Sequence, residues 1–191
     1  MIFRNAFFAI ALLAASASLA LPTGKDPNYT SRLNPEYNSQ INPEYSSSLN
    51  PSYNSRINPD YNSRINPNYN SRINPAYNSR INPDYNSQLN PNYNSRINPE
   101  YNSRINPRYS SDIPGKHIFS REAQAVAYLV EASHDFYLSF AGSWNGYWVR
   151  DEEGGFAIFD VKGVWIGHAH PNGQGGYNIF DLKNNWIAYT N

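Results

Sequence analysis

An eight-residue repeat constrains this chain more than any other feature. Proline recurs every eight residues from Pro27 to Pro107, and eleven copies vary on the unit Asn-Pro-x-Tyr-Asn-Ser-Arg-Ile. Proline at this spacing excludes a long α-helix, because it biases the preceding residue away from the helical region. Asn-Pro-x-Tyr is typical of a tight turn, in which asparagine caps the turn and proline presets φ. Residues 21–115 are therefore predicted to form a stiff, turn-rich array.

The burial that each octapeptide offers decides whether such an array is ordered. Each unit carries one Tyr and one Ile or Leu, four positions apart. So little apolar surface hardly offsets an ordering cost of about 1–2 kcal/mol per residue. The composition thus predicts a disordered, low-complexity stalk. The strict period keeps an alternative open, a β-solenoid with two octapeptides per coil. The variable x position is predicted to face water.

The composition changes after Gly115. All four Trp and nine of the eleven Gly lie beyond that residue, and Trp144, Trp165 and Trp186 are 21 residues apart. Within each 21-residue unit, a short run of β-forming residues precedes a turn and a second such run. Residues 116–191 are therefore predicted to be an all-β domain of four β-hairpins, over residues 117–130, 136–149, 156–169 and 177–190.

The first of these hairpins has a competing interpretation. Arg121–Glu131 is rich in alanine and apolar on one face, which also favours a helix. The repeat favours the hairpin, because it aligns Ala123 with the turn residue Gly163, and Asn184 with the same place in the last copy. In the same alignment, Ser120 and Ser139 occupy the positions equivalent to Asp160 and Asp181. Because Ser and Asp both cap turns, a turn-capping role is predicted for these positions.

These motifs, clearest in Phe156–His168 and Tyr177–Tyr189, resemble those of the four-fold β-flower domain. In that family, hairpin petals surround a pseudo-four-fold axis. The resemblance covers about residues 116–191 and implies this fold only. It supplies no activity, catalytic residue or cofactor.

Residues 1–20 have the features of a secretory signal peptide. Arg4 precedes the apolar run Ala6–Ala15, and Ser18-Leu19-Ala20 is a small-residue cleavage site. The run is short for a membrane span. We therefore expect a protein that is secreted, periplasmic or held in the cell envelope, with no transmembrane segment after cleavage.

Charge and cysteine content exclude several classes of function. The chain has 15 basic and 15 acidic residues, which argues against a nucleic-acid partner, and it has no Cys. His168-Ala169-His170 has metal-ligand spacing on a strand, but Tyr128, Tyr147 and Tyr189 occupy the His168 position in the other copies, so an aromatic packing role is predicted. No catalytic, cofactor or metal residue is assigned.

The remaining candidates are aromatic residues at the ends of the hairpins, where they could bind sugar rings or an exposed peptide. They are Trp144, Trp165, Trp186, Tyr147, His168 and Tyr189. The sequence as a whole predicts an exported, non-enzymatic binding or interaction protein that associates with a glycan, matrix or protein partner and serves in adhesion or in matrix or envelope association. The alternative is a secreted polysaccharide-binding accessory module or hydrolase.

Overall fold

The structure is a computed structural model that describes residues 21–110 and 115–191. The expected signal peptide lies outside the described residues. Residues 21–110 form a continuous series of turns and single-turn 3₁₀ helices. The 3₁₀ helices span Thr23–Lys25, Ser31–Leu33, Ser47–Leu49, Ser55–Ile57, Ser79–Ile81, Ser95–Ile97 and Ser103–Ile105. We call residues 21–110 the array.

Each octapeptide contains the tight turn that its sequence predicts. In the copy that begins at Asn34, the amide of Tyr37 donates to the Asn34 carbonyl at 3.0 Å, and the Asn34 side chain accepts from the Glu36 amide at 2.9 Å. The asparagine side chains also connect successive copies. Asn42 donates through Nδ2 to the carbonyl of Pro35 at 3.0 Å, and this bond recurs along the array as far as Asn106.

The predicted disorder of the array is wrong, and the β-solenoid alternative is also wrong, since residues 21–110 contain no strand. The array is ordered because its aliphatic side chains pack on another part of the chain, and not on one another alone. Ile73, Leu89, Ile97 and Ile105 join a hydrophobic cluster with strand residues of the C-terminal part. Burial judged one octapeptide at a time misses this contribution.

Residues 117–190 form eight antiparallel strands that close into a barrel, with each strand paired to its sequence neighbours and β1 paired to β8. This confirms the all-β prediction, and β2 excludes the helix considered for Arg121–Glu131. The strands are β1 His117–Ser120, β2 Ala125–Ser133, β3 Phe136–Ala141, β4 Ser143–Arg150, β5 Phe156–Asp160, β6 Trp165–Pro171, β7 Tyr177–Asp181 and β8 Trp186–Thr190.

The turns within three of the hairpins share one backbone conformation. Gly163, Asn184 and Ala123 adopt φ of 78°, 64° and 59°, the left-handed region that favours Gly or Asn. Asp160 caps its turn, because its Oδ1 accepts from the amides of Lys162 and Val164.

The second hairpin departs from the repeat, and one aligned residue is displaced. Its turn is shorter, with Gly142 at φ 83° between Ala141 and Ser143. Strand pairing places Phe140 opposite Tyr128, as Phe159 is opposite Tyr147. The predicted equivalence of Ser139 with Asp160 is therefore wrong. Ser139 is buried and pairs with Gly146 before the turn begins.

The two faces of the barrel wall bury different side chains. Because neighbouring residues on a strand point to opposite faces, Trp148 points into the barrel whereas Tyr147 points outward to the array. The interior is filled by Ile118, Ala127, Leu129, Trp148, Phe156, Ile158, Ala169, Ile179 and Ala188. On the outer face, one aromatic pair stacks at each junction between neighbouring hairpins. These pairs are Phe119–Tyr189, Tyr128–Phe140, Tyr147–Phe159 and His168–Phe180.

The array follows the outside of the barrel in reverse strand order. Its contacts move from β8 and β7, through the β4–β5 loop and the β5–β6 turn, to β2. The contacts follow in chain order, with the array residue named first: Lys25 with Asn191, Ile41 with Asn178, Arg56 and Arg64 with Glu153, Arg72 with Glu152, Pro75 with Gly163, and Ile97 and Ile105 with the hydrophobic cluster that includes Tyr128. The array therefore covers the outer aromatic face and is no free stalk.

Candidate functional surface

The array has one buried edge and one exposed edge, and the octapeptide sequence determines which residues lie on each. The aliphatic residue, the next asparagine and the proline lie toward the barrel, and Ile65, Asn66 and Pro67 are all buried. The tyrosine lies on the opposite edge. Every tyrosine of the array is 71–79% exposed, and we call this set the tyrosine surface. It comprises Tyr29, Tyr37, Tyr45, Tyr53, Tyr61, Tyr69, Tyr77, Tyr85, Tyr93, Tyr101 and Tyr109.

Burial does not account for these tyrosines. A structural tyrosine buries its ring, and the barrel tyrosines Tyr147 and Tyr189 are at most 1% exposed. The array tyrosines leave most of the ring in water, although every octapeptide carries one. The serine and arginine that follow are exposed as well. The outer edge therefore presents aromatic rings, hydroxyl groups and guanidinium groups at a regular spacing.

The arginines of the array hold that edge in place only weakly. Arg56 Nε lies 2.8 Å from Glu153 Oε2, and Arg64 and Arg72 lie 3.6 Å from acceptors on Glu153 and Glu152. The Arg56 hydrogen bond keeps the pKa of Glu153 below its usual range. These arginine side chains are 67–84% exposed, so each pair contributes little to stability. Their positive charges remain accessible beside the tyrosine rings.

The three predicted tryptophans occupy one recurrent position just after a hairpin turn. Trp144, Trp165 and Trp186 are partly buried. Each indole Nε1 donates to a backbone carbonyl two residues later, at 2.9, 2.7 and 2.8 Å. Their N–H groups are thus used internally, and only part of each ring is available to a ligand.

The other three predicted candidates are inaccessible from solvent. Tyr147, His168 and Tyr189 are at most 1% exposed, because each belongs to an outer aromatic pair that the array covers. The structure therefore does not bring the six candidates together on one surface. The six candidates did not include the array tyrosines, because one octapeptide by itself does not show whether its tyrosine ring packs against a neighbour or faces water. The presence of a tyrosine in every copy was the only signal that the sequence offered for this surface.

The two neighbouring histidines form a buried hydrogen-bonded chain. His170 Nε2 lies 3.0 Å from His168 Nδ1, and His168 Nε2 lies 3.0 Å from Asn184 Oδ1. A neutral arrangement satisfies both contacts, with His170 donating to His168 and His168 donating to Asn184. Burial lowers the pKa of His168 to about 4 and, together with the adjacent His168, that of His170 to about 3. These rings are packing and hydrogen-bonding groups at neutral pH.

Comparison with protein-family models, with curated proteins and with solved structures found no match. Across residues 21–110 and 115–191, no helix has the length and apolar character needed to cross a membrane. The same residues contain no cluster of three or more His, Cys, Asp or Glu side chains suited to a metal ion. The geometry of the chain itself is therefore the basis of the functional proposal.

Proposed function

We propose that this chain is an exported, non-enzymatic binding protein that attaches through its tyrosine surface to an extracellular polymer, as an adhesion or matrix-associating module. The exposure of every array tyrosine is the observation that carries the proposal. A cation–π or stacking contact at an exposed site contributes only about 0.5–1 kcal/mol. Eleven such sites on one ordered scaffold would act together, because each contact after the first becomes intramolecular.

Order in the array supports this role. A disordered repeat loses conformational entropy at every contact that it forms, whereas an array fixed to a barrel presents its rings already positioned. Asparagine side chains fix the spacing between copies, and the aliphatic residues fix the array to the barrel. Each octapeptide thus separates its scaffold residues from the ring that it exposes.

We also propose that residues 116–191 are a four-fold β-flower domain. The outer aromatic pair at each junction between hairpins and the left-handed turn residues of three hairpins support a pseudo-four-fold arrangement. The signal peptide proposed for residues 1–20 would direct this domain out of the cytoplasm. N-terminal sequencing of the mature protein tests export, with Leu21 as the expected first residue.

The binding test changes tyrosines that carry no packing role. Tyr53, Tyr61, Tyr69 and Tyr77 are replaced by Ser in steps of one, two and four, and adsorption to extracellular material from the producing cells is measured by sedimentation. We expect adsorption to fall more steeply than in proportion to the number of rings removed, with stability changed by less than about 0.5 kcal/mol per site.

The matched control replaces the same four residues by Phe, which keeps the rings and should keep most of the adsorption. A wild-type protein that stays in the supernatant would contradict the proposal. So would a four-Ser variant that adsorbs as the wild type does.

A further inference from the structure

One hairpin lacks the tryptophan that the other three carry. In strand pairing, Phe140, Phe159 and Phe180 lie opposite Trp144, Trp165 and Trp186. Phe119 of the first hairpin lies opposite Ala125. An alanine thus replaces an indole at the equivalent place on the barrel wall, and β2 is left without the bulky side chain that follows the turn elsewhere.

A cleft of about 710 Å³ lies at this place, between the barrel and the last octapeptides of the array. Its size falls in the range of small-molecule sites, about 300–1,000 Å³. One wall is aromatic. It consists of the partly buried Trp144 and the largely buried rings of Tyr128 and Phe140, with Ala125 beside them. The Tyr128 and Phe140 rings stack with centroids 5.6 Å apart, so this wall is held firmly.

The opposite wall is polar and comes from the variable x position of three successive octapeptides. Asn92, Glu100 and Arg108 all line the cleft. Elsewhere the x position meets the barrel directly, since Asn28 donates to the Ala123 carbonyl and Glu44 pairs with Arg121. The prediction that x faces only water is therefore incomplete, because x side chains lie on the rim of the array beside the barrel.

At the cleft these x side chains have no such partner. Within the described residues, the side chains of Asn92, Glu100 and Arg108 form no hydrogen bond or ion pair. They offer an amide, a carboxylate and a guanidinium group, and the charges of Glu100 and Arg108 cancel. Arg108 is also the sole basic residue among the eleven x positions.

Tyr128 adds a hydroxyl group from the aromatic wall. The equivalent hydroxyls of Tyr147 and Tyr189 are fully buried and have no hydrogen-bond partner. The Tyr128 hydroxyl, in contrast, is not closed off in this way. Burial raises the pKa of Tyr128 to about 12, with smaller opposing effects from Arg108 and Glu100. The hydroxyl is therefore a neutral donor near both charged groups.

We propose that this cleft is a binding site for a neutral pyranose oligosaccharide, with Trp144 beneath the ring and Asn92, Glu100 and Arg108 bonded to its hydroxyl groups. A pyranose has an apolar C–H face and a rim of hydroxyls, which matches one aromatic wall facing a polar wall of donors and acceptors. The site is distinct from the tyrosine surface, so either can fail without the other.

The decisive variant is Ala125→Trp, which introduces the residue found in the other hairpins and occupies the part of the cleft beside Tyr128. Binding is measured by titration calorimetry with trimers to hexamers of β-1,4-linked glucose, β-1,4-linked N-acetylglucosamine and α-1,4-linked glucose. The full mature chain should bind at least one series with a Kd of about 1 mM or tighter. Ala125→Trp should weaken that binding by about tenfold or more while leaving the melting temperature unchanged or higher.

Ala76→Trp is the matched control, because it makes the same substitution at an exposed x position away from the cleft and should bind as the wild type does. Arg108→Ala should weaken binding about tenfold and serves as the test if Ala125→Trp does not fold, since Arg108 is exposed. Absence of binding in all three series would overturn the proposal. So would Ala125→Trp or, where that variant does not fold, Arg108→Ala binding with wild-type affinity.

Discussion

The barrel and the array reach an ordered state by different means. The barrel closes its backbone hydrogen bonds on itself and buries aromatic side chains on both faces of its wall. The array has no strand in residues 21–110 and relies on asparagine side chains to bond one copy to the next. Its aliphatic residues Ile73, Leu89, Ile97 and Ile105 become buried against the outer face of the barrel. The array therefore depends on the barrel for its order, and the barrel depends on the array to cover that face.

The largest expected change in stability comes from removing one buried side chain from each region. Phe136 is 1% exposed and stacks on Tyr147, so Phe136→Ala should lower the free energy of unfolding by about 3–5 kcal/mol. Ile65 of the array is also fully buried, and Ile65→Ala should cost about 2–4 kcal/mol. Chemical denaturation measures both values.

Hydrogen exchange then distinguishes the two regions. Ile65→Ala should raise exchange in the array more than in the barrel, whereas Phe136→Ala should raise exchange in both. Tyr69→Ser, at an exposed position in the next turn, is the control and should change stability by less than about 0.5 kcal/mol. Equal loss of protection everywhere in Ile65→Ala would show that the two regions unfold as one unit.

Acid should weaken the boundary between the two regions. His168 and His170 have folded pKa values of about 4 and about 3, below the ordinary value of 6.5. Since the folded state disfavours the protonated form, stability is full above about pH 6.5 and falls as the pH drops toward 3. We expect a loss of about 3 kcal/mol from the pair.

The double variant His168→Phe/His170→Val removes both groups, and Val149 already occupies the place of His170 in the second hairpin. Its stability, measured by denaturation between pH 7 and pH 3.5, should change less with pH than that of the wild type. An unchanged pH dependence would assign the acid sensitivity to carboxyl groups instead.

A buried carboxyl in the β4–β5 loop should have the opposite pH dependence. Burial raises the pKa of Asp151 to about 6, although the amides of Glu153 and Gly155 donate to it. Its charge therefore opposes folding as the pH rises from about 4 through 6. Asn172 accepts the same two bonds in the β6–β7 loop without a charge.

Asp151→Asn should accordingly stabilise the protein by about 1–2 kcal/mol at pH 8, with the gain disappearing near pH 4. Thermal melts at the two pH values measure it. A variant that is less stable at pH 8 would indicate that the carboxylate has a favourable partner.

The smallest effect concerns the turn that the first hairpin shares with the others. Ala123 has φ 59°, which an alanine adopts at a cost, whereas Gly163 has φ 78° at the equivalent place. Ala123→Gly should raise stability by up to about 1 kcal/mol, reduced by the loss of its buried methyl group. Gly163→Ala should lower it by about 1–2 kcal/mol, since a Cβ there would also lie 3.2 Å from the Tyr147 hydroxyl. Paired thermal melts check the opposite signs.

Sequence signals were reliable for turns that are formed by residues close together in the chain. Asn-Pro predicted the octapeptide turn, and Asp160 with Gly163 predicted a hairpin turn that the structure contains. The alignment failed at Ser139, because the second hairpin has a shorter turn and the register depends on pairing with β2 and β5. The tyrosine surface and the cleft also could not be predicted from one octapeptide. The 21-residue spacing does not reach Ala125 either, because Ala125 precedes Trp144 by 19 residues, and only strand pairing shows that the two positions are equivalent.

The sequence by itself determined the turns of the array and the all-β character of the C-terminal part, because these follow from φ preferences and side chains a few residues apart. Only the tertiary structure decided that the array is ordered, that its tyrosines face water and that a cleft lies beside Ala125. One aliphatic side chain per octapeptide has no sufficient partner within its own repeat. Its burial comes from strands that are distant in the chain, so the contact that orders the array exists only once the barrel has closed.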